Sequence, residues 1–97
     1  MTIDSNFTIY APLSYNIYCQ NNKEIITDPS TEFIGCIFCR KQYNSCDVVI
    51  FYLEMDAACP CCQIDSVVAW HEIPGDTEED KFKQLNDWYI EGFTTTQ

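Results

Sequence analysis

Two Cys-x-x-Cys pairs constrain the fold of this 97-residue chain more than any other feature of its sequence. The first pair is Cys36 and Cys39, and the second is Cys59 and Cys62, with nineteen residues between the pairs. Two residues between paired cysteines let the backbone turn so that both sulfurs face one ion, and two such turns complete a tetrahedral shell. The spacing therefore predicts a four-thiolate metal site, with Zn²⁺ in a structural role as the expected ion.

Three further cysteines leave alternatives open at this stage. Cys61 could replace Cys62 as a ligand, although Cys62 is preferred because it restores the two-residue spacing. Cys19, Cys46 and Cys61 are otherwise expected to be small buried apolar residues. The odd total of seven cysteines, four of them at metal spacing, favours a reducing compartment over a disulfide framework. A set of buried thiols without metal is the remaining alternative.

Residues 33–73 resemble a zinc ribbon, a small β module that carries paired metal-binding turns called knuckles. The Cys59-Pro60-Cys61-Cys62 run resembles the second knuckle, and Cys36-Ile37-Phe38-Cys39-Arg40 resembles the first. The resemblance implies a zinc site formed by Cys36, Cys39, Cys59 and Cys62. The chain departs from the family pattern at Arg40 and Gln63, which follow the second cysteine of each pair. Many knuckles have glycine at this position or one residue later. Rubredoxins have a similar second knuckle, so an iron-thiolate electron-transfer protein is an alternative, although the short spacer disfavours it.

The whole pattern predicts an α+β fold, with a small antiparallel β-sheet, a knuckle pair and one C-terminal α-helix. A chain of this length with 46% hydrophobic residues is expected to form one domain over residues 1–97, stabilised by zinc. The predicted parts are a β-hairpin extension in 1–32, a zinc-ribbon-like core in 33–73 and an amphipathic helix in 76–92.

Alternation of apolar and polar residues predicts the first strands, and β-branched and aromatic composition predicts the later ones. Tyr15, Ile17 and Cys19 alternate with polar neighbours, which favours a hairpin near residues 14–27. Residues 32–35 are expected to lead as a strand into the first knuckle. The longest β-branched and aromatic run, 47–55, predicts a strand buried on both faces and paired antiparallel with a second strand at 64–73.

The C-terminal region carries the signals of an amphipathic helix. Asp76 and Glu79 fit a capping box at its start, and Gly92 is expected to end it. Apolar residues recur every three or four positions and predict a single buried stripe: Phe82, Leu85, Trp88 and Tyr89.

Acidic residues dominate the second half of the chain and suggest its partner. Residues 1–46 hold four acids and three bases, whereas residues 47–97 hold eleven acids and two bases. Such a surface repels phosphate backbones, which disfavours direct nucleic-acid binding and favours a protein partner with a basic surface. The acids expected to form the docking surface are Glu72, Asp76, Glu78, Glu79, Asp80, Asp87 and Glu91.

No catalytic constellation accompanies the cysteines, because His71 is the only histidine and it follows them in sequence. We therefore expect a non-enzymatic adaptor or inhibitor that binds a basic, nucleic-acid-handling protein. Its size and charge are similar to those of nucleic-acid mimics that phages use against host defences. A transcription-associated zinc ribbon, touching nucleic acid through Lys23, Arg40 and Lys41, is a further alternative.

The longest apolar run, 48–53, is too short to cross a bilayer. The N-terminus also lacks the basic start and the apolar stretch of a secretory signal. No membrane association is therefore predicted, and the expected location is the cytoplasm.

Overall fold

A computed structural model of the chain describes residues 13–93. Two short helices come first, α1 (Asn16–Cys19) and α2 (Lys23–Thr27), and a long helix, α3 (Glu78–Phe93), comes last. Five strands and two 3-10 turns lie between them: β1 (Phe33–Cys36), β2 (Lys41–Asn44), a turn at Ser45–Asp47, β3 (Phe51–Tyr52), β4 (Asp56–Ala57), β5 (Val67–Ala69) and a turn at Trp70–Glu72. The predicted α+β class, with its antiparallel sheet and C-terminal helix, is confirmed.

The main sheet has three antiparallel strands in the order β2-β1-β5. β1 is central, with Ile34 opposite Tyr43 of β2 on one side and opposite Ala69 of β5 on the other. The predicted strand before the first knuckle is therefore confirmed. β3 and β4 form a separate two-stranded sheet, in which Phe51 is opposite Ala57.

The two faces of the main sheet support two separate apolar clusters, because successive side chains of a strand point to opposite faces. The face packed against α3, here called the helix face, buries Val68, Trp70, Leu85 and Trp88. Gly35 is required on this face, since a Cβ there would come within 2.9 Å of the Ile73 Cδ1 atom and 3.2 Å of the Trp70 ring.

The opposite face, here called the metal face, supports the second cluster. Its buried members come from strands, turns and α2: Ile26, Ile34, Cys36, Val48, Ala57, Cys59, Val67 and Ala69. The cysteine side chains therefore lie on the side of the sheet away from α3, whereas Phe38 of the first knuckle packs against Tyr89 and Phe93 of that helix.

The hairpin predicted near residues 14–27 is wrong, because this segment forms α1 and α2. A strand would place Tyr15, Ile17 and Cys19 on one face, but Tyr15 and Cys19 are buried while Ile17 is 78% exposed. The burial follows the four-residue spacing of a helix rather than the two-residue spacing of a strand. Asn21, at φ 52°, turns the chain between the two helices.

The long buried strand predicted at 47–55, paired with 64–73, is also wrong. β5 pairs with β1 on one edge, and on its other edge the Val67 carbonyl is bound by the Asn22 side chain, so residues 47–55 do not pair with it. The segment instead bends back on itself through Leu53 and Glu54, which both have positive φ, and forms the β3–β4 hairpin. Only 67–69 of the second predicted strand pairs as a strand, since Trp70–Glu72 forms a 3-10 helix.

Helix α3 lies where the sequence predicts a helix, with different ends. The N–H of Asp80 donates to Thr77 Oγ1 at 3.1 Å, so Thr77 rather than Asp76 accepts the capping hydrogen bond. The helix continues through Gly92, whose missing side chain makes room for the Tyr15 ring and hydroxyl. Leu85 and Trp88 of the predicted stripe are buried, whereas Phe82 is 38% exposed beside Trp70.

Within residues 13–93, none of the helices combines the length and the apolar character that crossing a bilayer requires.

Candidate metal centre

Four cysteine sulfurs from two separate parts of the chain converge on one point. The Sγ atoms of Cys36, Cys39, Cys59 and Cys62 all lie within 4.8 Å of one another. The Cys36–Cys62 and Cys39–Cys59 sulfurs are 3.6 and 3.8 Å apart. Zn–S bonds of about 2.3 Å in a tetrahedron impose a sulfur–sulfur separation of about 3.8 Å. The four thiols thus already have the spacing of a four-coordinate site, which suits zinc or iron.

The fold brings the two pairs together through the metal face of the sheet. Cys36 is the last residue of β1, and Cys39 lies in the turn that leads into β2. Cys59 and Cys62 lie in the loop between β4 and β5, and β5 pairs with β1 so that Val67 is opposite Cys36. A bound ion would therefore link the β1–β2 turn to the β4–β5 loop.

Both knuckles have the same backbone construction. In the first, the N–H of Cys39 donates to Cys36 Sγ at 3.3 Å, and the N–H of Arg40 donates to the Cys36 carbonyl at 2.7 Å. In the second, the N–H of Cys62 donates to Cys59 Sγ at 3.4 Å, and the N–H of Gln63 donates to the Cys59 carbonyl at 2.9 Å. N–H groups directed at a sulfur stabilise its thiolate form, which is the form that binds metal.

The residues that replace the usual knuckle glycines keep the glycine conformation. Arg40 has φ 58° and Gln63 has φ 64°, both in the left-handed region that glycine adopts without steric cost. Arg40 is further held by the Tyr89 ring, whose centroid lies 4.0 Å from the guanidinium carbon. The departure from the zinc-ribbon pattern therefore changes the residue types and leaves the turn geometry intact.

Replacing Gln63 by glycine is expected to raise the free energy of unfolding by about 0.5–1 kcal/mol, because glycine relieves the left-handed strain. The Gln63 carbonyl, which accepts a hydrogen bond from the Tyr52 hydroxyl, is kept. Gln84→Gly within α3 is the matched control and should lower stability by about 1 kcal/mol. Chemical denaturation of both zinc-loaded variants measures the two changes in the free energy of unfolding. Equal losses of stability in the two variants would show that the left-handed backbone of Gln63 is not strained.

Two residues next to the sulfurs have no counterpart in the predicted site. The buried Ser66 hydroxyl lies 3.2 Å from Cys36 Sγ and provides a polar contact to this fully buried sulfur. Tyr43 packs, as Cys39 and Cys62 do, against the metal-face cluster. No spacing rule identifies Ser66, but Tyr43 could be recognised as the strand residue that follows the first knuckle on the metal face.

The site favours a bound cation on electrostatic grounds. Burial raises the pKa of the Cys36 thiol well above its usual value and that of Cys62 to about 11. Burial also opposes ionisation of Cys59, but the N–H groups of Cys62 and Cys61 hold its pKa below the ordinary value. A divalent cation reverses the effect of burial by stabilising all four thiolates, and metal binding would release their protons.

The remaining cysteines have different surroundings. Cys19 is buried as predicted, and burial raises its pKa to about 12, so it acts as an apolar core residue. Cys46 and Cys61 are exposed, which contradicts the prediction that they are buried. Cys61 contributes its N–H to Cys59 Sγ at 3.3 Å, while its own sulfur lies outside the four-sulfur cluster.

The acids expected to form the docking surface lie on α3 and in the segment before it. Glu72 and Glu91 are partly buried, and the other five are exposed. The Glu91 carboxylate accepts hydrogen bonds from the backbone N–H and hydroxyl of Ser14, at 2.9 and 3.0 Å. Glu91 therefore also has a structural role, since it ties the end of α3 to the start of the described chain.

The chain matches no known protein-family model, no curated protein and no solved structure. The zinc-ribbon resemblance consequently depends on the knuckles themselves, and the arrangement of the four cysteines is the basis for any assignment of function.

Proposed function

We propose that this protein is a metal-stabilised, non-enzymatic domain that acts by binding another protein. The four-sulfur cluster carries the proposal, because the chain itself supplies all four ligands of a tetrahedral ion. Catalytic zinc sites keep one position open for water or substrate, whereas closed four-thiolate sites are structural. We assign Zn²⁺ to the site, as the ion that four thiolates hold in structural sites of this kind.

The metal would supply stability that a chain of this size has difficulty obtaining from burial alone. The apolar residues are divided between two faces of a three-stranded sheet, so neither cluster is large. A zinc ion joining the β1–β2 turn to the β4–β5 loop would fix the metal face and leave the outer surfaces free for recognition.

The first turns of α3 provide a candidate docking surface. Glu78, Glu79 and Asp80 are exposed and consecutive at the start of the helix. The nearby Lys81 does little to neutralise these carboxylates at the surface. Its ammonium group is directed at the protein, where it donates to the carbonyls of Ile73 and Trp70 at 2.6 and 3.1 Å. The surface is therefore strongly negative, and such surfaces accelerate association with basic partners and select among them.

A basic protein is the partner that this charge suits, and an adaptor or an inhibitor is the corresponding role. An inhibitor that mimics nucleic acid is the form that we favour for a partner that handles nucleic acid. Direct contact with nucleic acid receives less support, since Lys23 pairs with Glu54 at 2.8 Å and Arg40 stacks on Tyr89. Two of the three cations proposed for such contact are thus engaged within the protein.

Reversing the charge of Glu78, Glu79 and Asp80 to lysine is expected to abolish capture of the basic partner from extracts of the native host. Capture by the unchanged protein should weaken steeply between 50 and 200 mM salt, on the order of tenfold or more, as a screened electrostatic contact requires. Lys83→Glu is the matched control on the same helix and should preserve capture. Salt-independent capture that survives the triple reversal would rule out docking through this surface.

An iron-thiolate electron-transfer protein is the second candidate, because the same sulfur spacing suits iron. Cys39 and Cys62 are only partly buried, which would bring the cluster close to a redox partner. Metal analysis and absorption spectra of the purified protein separate the two candidates. A zinc protein is colourless, whereas an iron-thiolate protein is coloured and bleaches on reduction.

A further inference from the structure

The segment that leads into β3, forms it and turns towards β4 exposes an unusual concentration of apolar side chains. We call residues 49–55 the apolar tip. Five of its seven side chains are large, apolar and exposed, at 77% for Val49, 83% for Leu53, and 41% each for Ile50, Tyr52 and Met55. Single exposed apolar residues are common on protein surfaces, but contiguous exposed apolar patches mark interaction sites.

Contacts from α2 hold the apolar tip in place. The backbone N–H of Lys23 donates to the Met55 carbonyl at 3.1 Å, and the Lys23 ammonium group lies 2.8 Å from the Glu54 carboxylate. The same ammonium group lies 5.3 Å from the centre of the Phe51 ring. The tip is therefore a supported part of the fold, so little conformational entropy would be lost when it binds.

The turn at the end of the tip is strained. Leu53 and Glu54 have φ of 54° and 62°, a conformation that hairpin turns normally give to asparagine or glycine. A leucine at such a position is sterically unfavourable, and its side chain makes no compensating buried contact because it is 83% exposed. Strain of this kind is common at binding sites, where the side chain serves a partner rather than the fold.

The charges around the tip identify the kind of partner. No lysine or arginine occurs between residues 42 and 80. Glu24, Asp47 and Asp56 border the tip, and the neighbouring Lys23 is paired with Glu54. An acidic border repels anionic lipid surfaces and a second copy of this net −10 chain. It complements a protein pocket that is apolar at its centre and basic at its rim.

We propose that the apolar tip is the anchor that enters such a pocket, with Leu53 at its centre. The inference depends on the proposed function, since it assigns a second contact to the same basic partner. The acidic surface of α3 would attract and orient the partner, and the apolar tip would supply the desolvated contact that holds it.

Nuclear magnetic resonance of the ¹⁵N-labelled, zinc-loaded full chain tests the inference with a defined probe. The probe is a helical leucine–lysine peptide with leucine on one face, and its control is the same peptide with glutamate in place of lysine. We expect the lysine peptide to shift the amide signals of residues 49–56 in a saturable manner, and the glutamate peptide to leave them unchanged.

The Leu53→Asn variant gives a sharper test, because asparagine tolerates positive φ and preserves the turn. It should weaken binding of the lysine peptide by about tenfold, which corresponds to the loss of one exposed leucine contact. Ile17→Asn is the matched control, since Ile17 is 78% exposed on α1, outside the tip. It should leave the affinity unchanged.

Several outcomes would overturn the inference. If the lysine peptide shifts only the amide signals of the acids on α3, the tip is not the anchor and the proposed function is preserved. If it shifts signals in neither region, both the anchor and the proposed docking surface are contradicted. Equal binding of the glutamate peptide would reject the charge argument. Binding to phosphatidylserine vesicles, or a dimer in sedimentation that Leu53→Asn disperses, would assign the tip to a membrane or to a second copy.

Discussion

Replacing Cys62 by serine is expected to unfold the protein at zinc concentrations where the Cys61→Ser variant stays folded. The two cysteines are adjacent, but only the Cys62 sulfur belongs to the four-sulfur cluster. Structural zinc contributes on the order of 10–16 kcal/mol of binding free energy in small zinc domains, and much of it is folding free energy. Loss of one ligand removes a large part of that contribution.

Zinc titration followed by circular dichroism, together with thermal unfolding, would measure the effect. Cys62→Ser should lower zinc affinity by more than the roughly 10–100-fold that loss of an outer-shell partner costs. Excess chelator should unfold the unchanged protein as well, and it should make the buried Cys36 and Cys59 thiols reactive. Equal behaviour of the two serine variants would show that Cys61 substitutes as a ligand.

Asn22→Ala is expected to lower the free energy of unfolding by about 2–4 kcal/mol, because it leaves two buried backbone groups without partners. The side chain is 4% exposed and connects three elements. Its amide nitrogen donates to the carbonyls of Val67, at 2.8 Å, and of Tyr18, at 3.0 Å. Its amide oxygen accepts the N–H of Ala57 at 3.0 Å. Asn22 thus joins the outer edge of β5 to β4.

Urea denaturation of zinc-loaded protein provides the measurement, with Asn86→Ala as the control. Asn86 is exposed on α3, where alanine should change stability by no more than about 0.5 kcal/mol. If Asn22→Ala were as mild as Asn86→Ala, water would be satisfying the Val67 and Ala57 groups, and the bridging role given to Asn22 would be wrong.

The cysteine cluster could be predicted from the sequence because the chemistry of a knuckle is local. Two residues between cysteines fix the direction of both sulfurs, whatever the rest of the chain does. The C-terminal helix could be predicted for a similar reason, since its cap and its stripe lie within 17 residues. Its start was still displaced by one residue, because Asp76 and Thr77 are both good capping residues.

The strand pairing could not be predicted, because it depends on which segments compete for the edges of β1. The run 47–55 has the composition of a buried strand and was expected to pair with the strand at 64–73, but β5 pairs with β1 and its outer edge is bound by Asn22. Its turn at Leu53 and Glu54 also lacks the asparagine or glycine that marks such turns in sequence. The same absence concealed the apolar tip, which composition alone would place in the core.

The segregation of the two apolar clusters has a consequence for the order in which the protein forms during synthesis. The metal-face cluster lies between Ile25 and Ala69, whereas the helix face needs Leu13 and Tyr15 together with Leu85, Trp88 and Phe93. A ribosome therefore releases every residue of the metal face before α3 exists, and domains fold as their segments emerge. Zinc binding to the nascent chain would stabilise the metal-face cluster before α3 is synthesised. The helix-face cluster could form only afterwards.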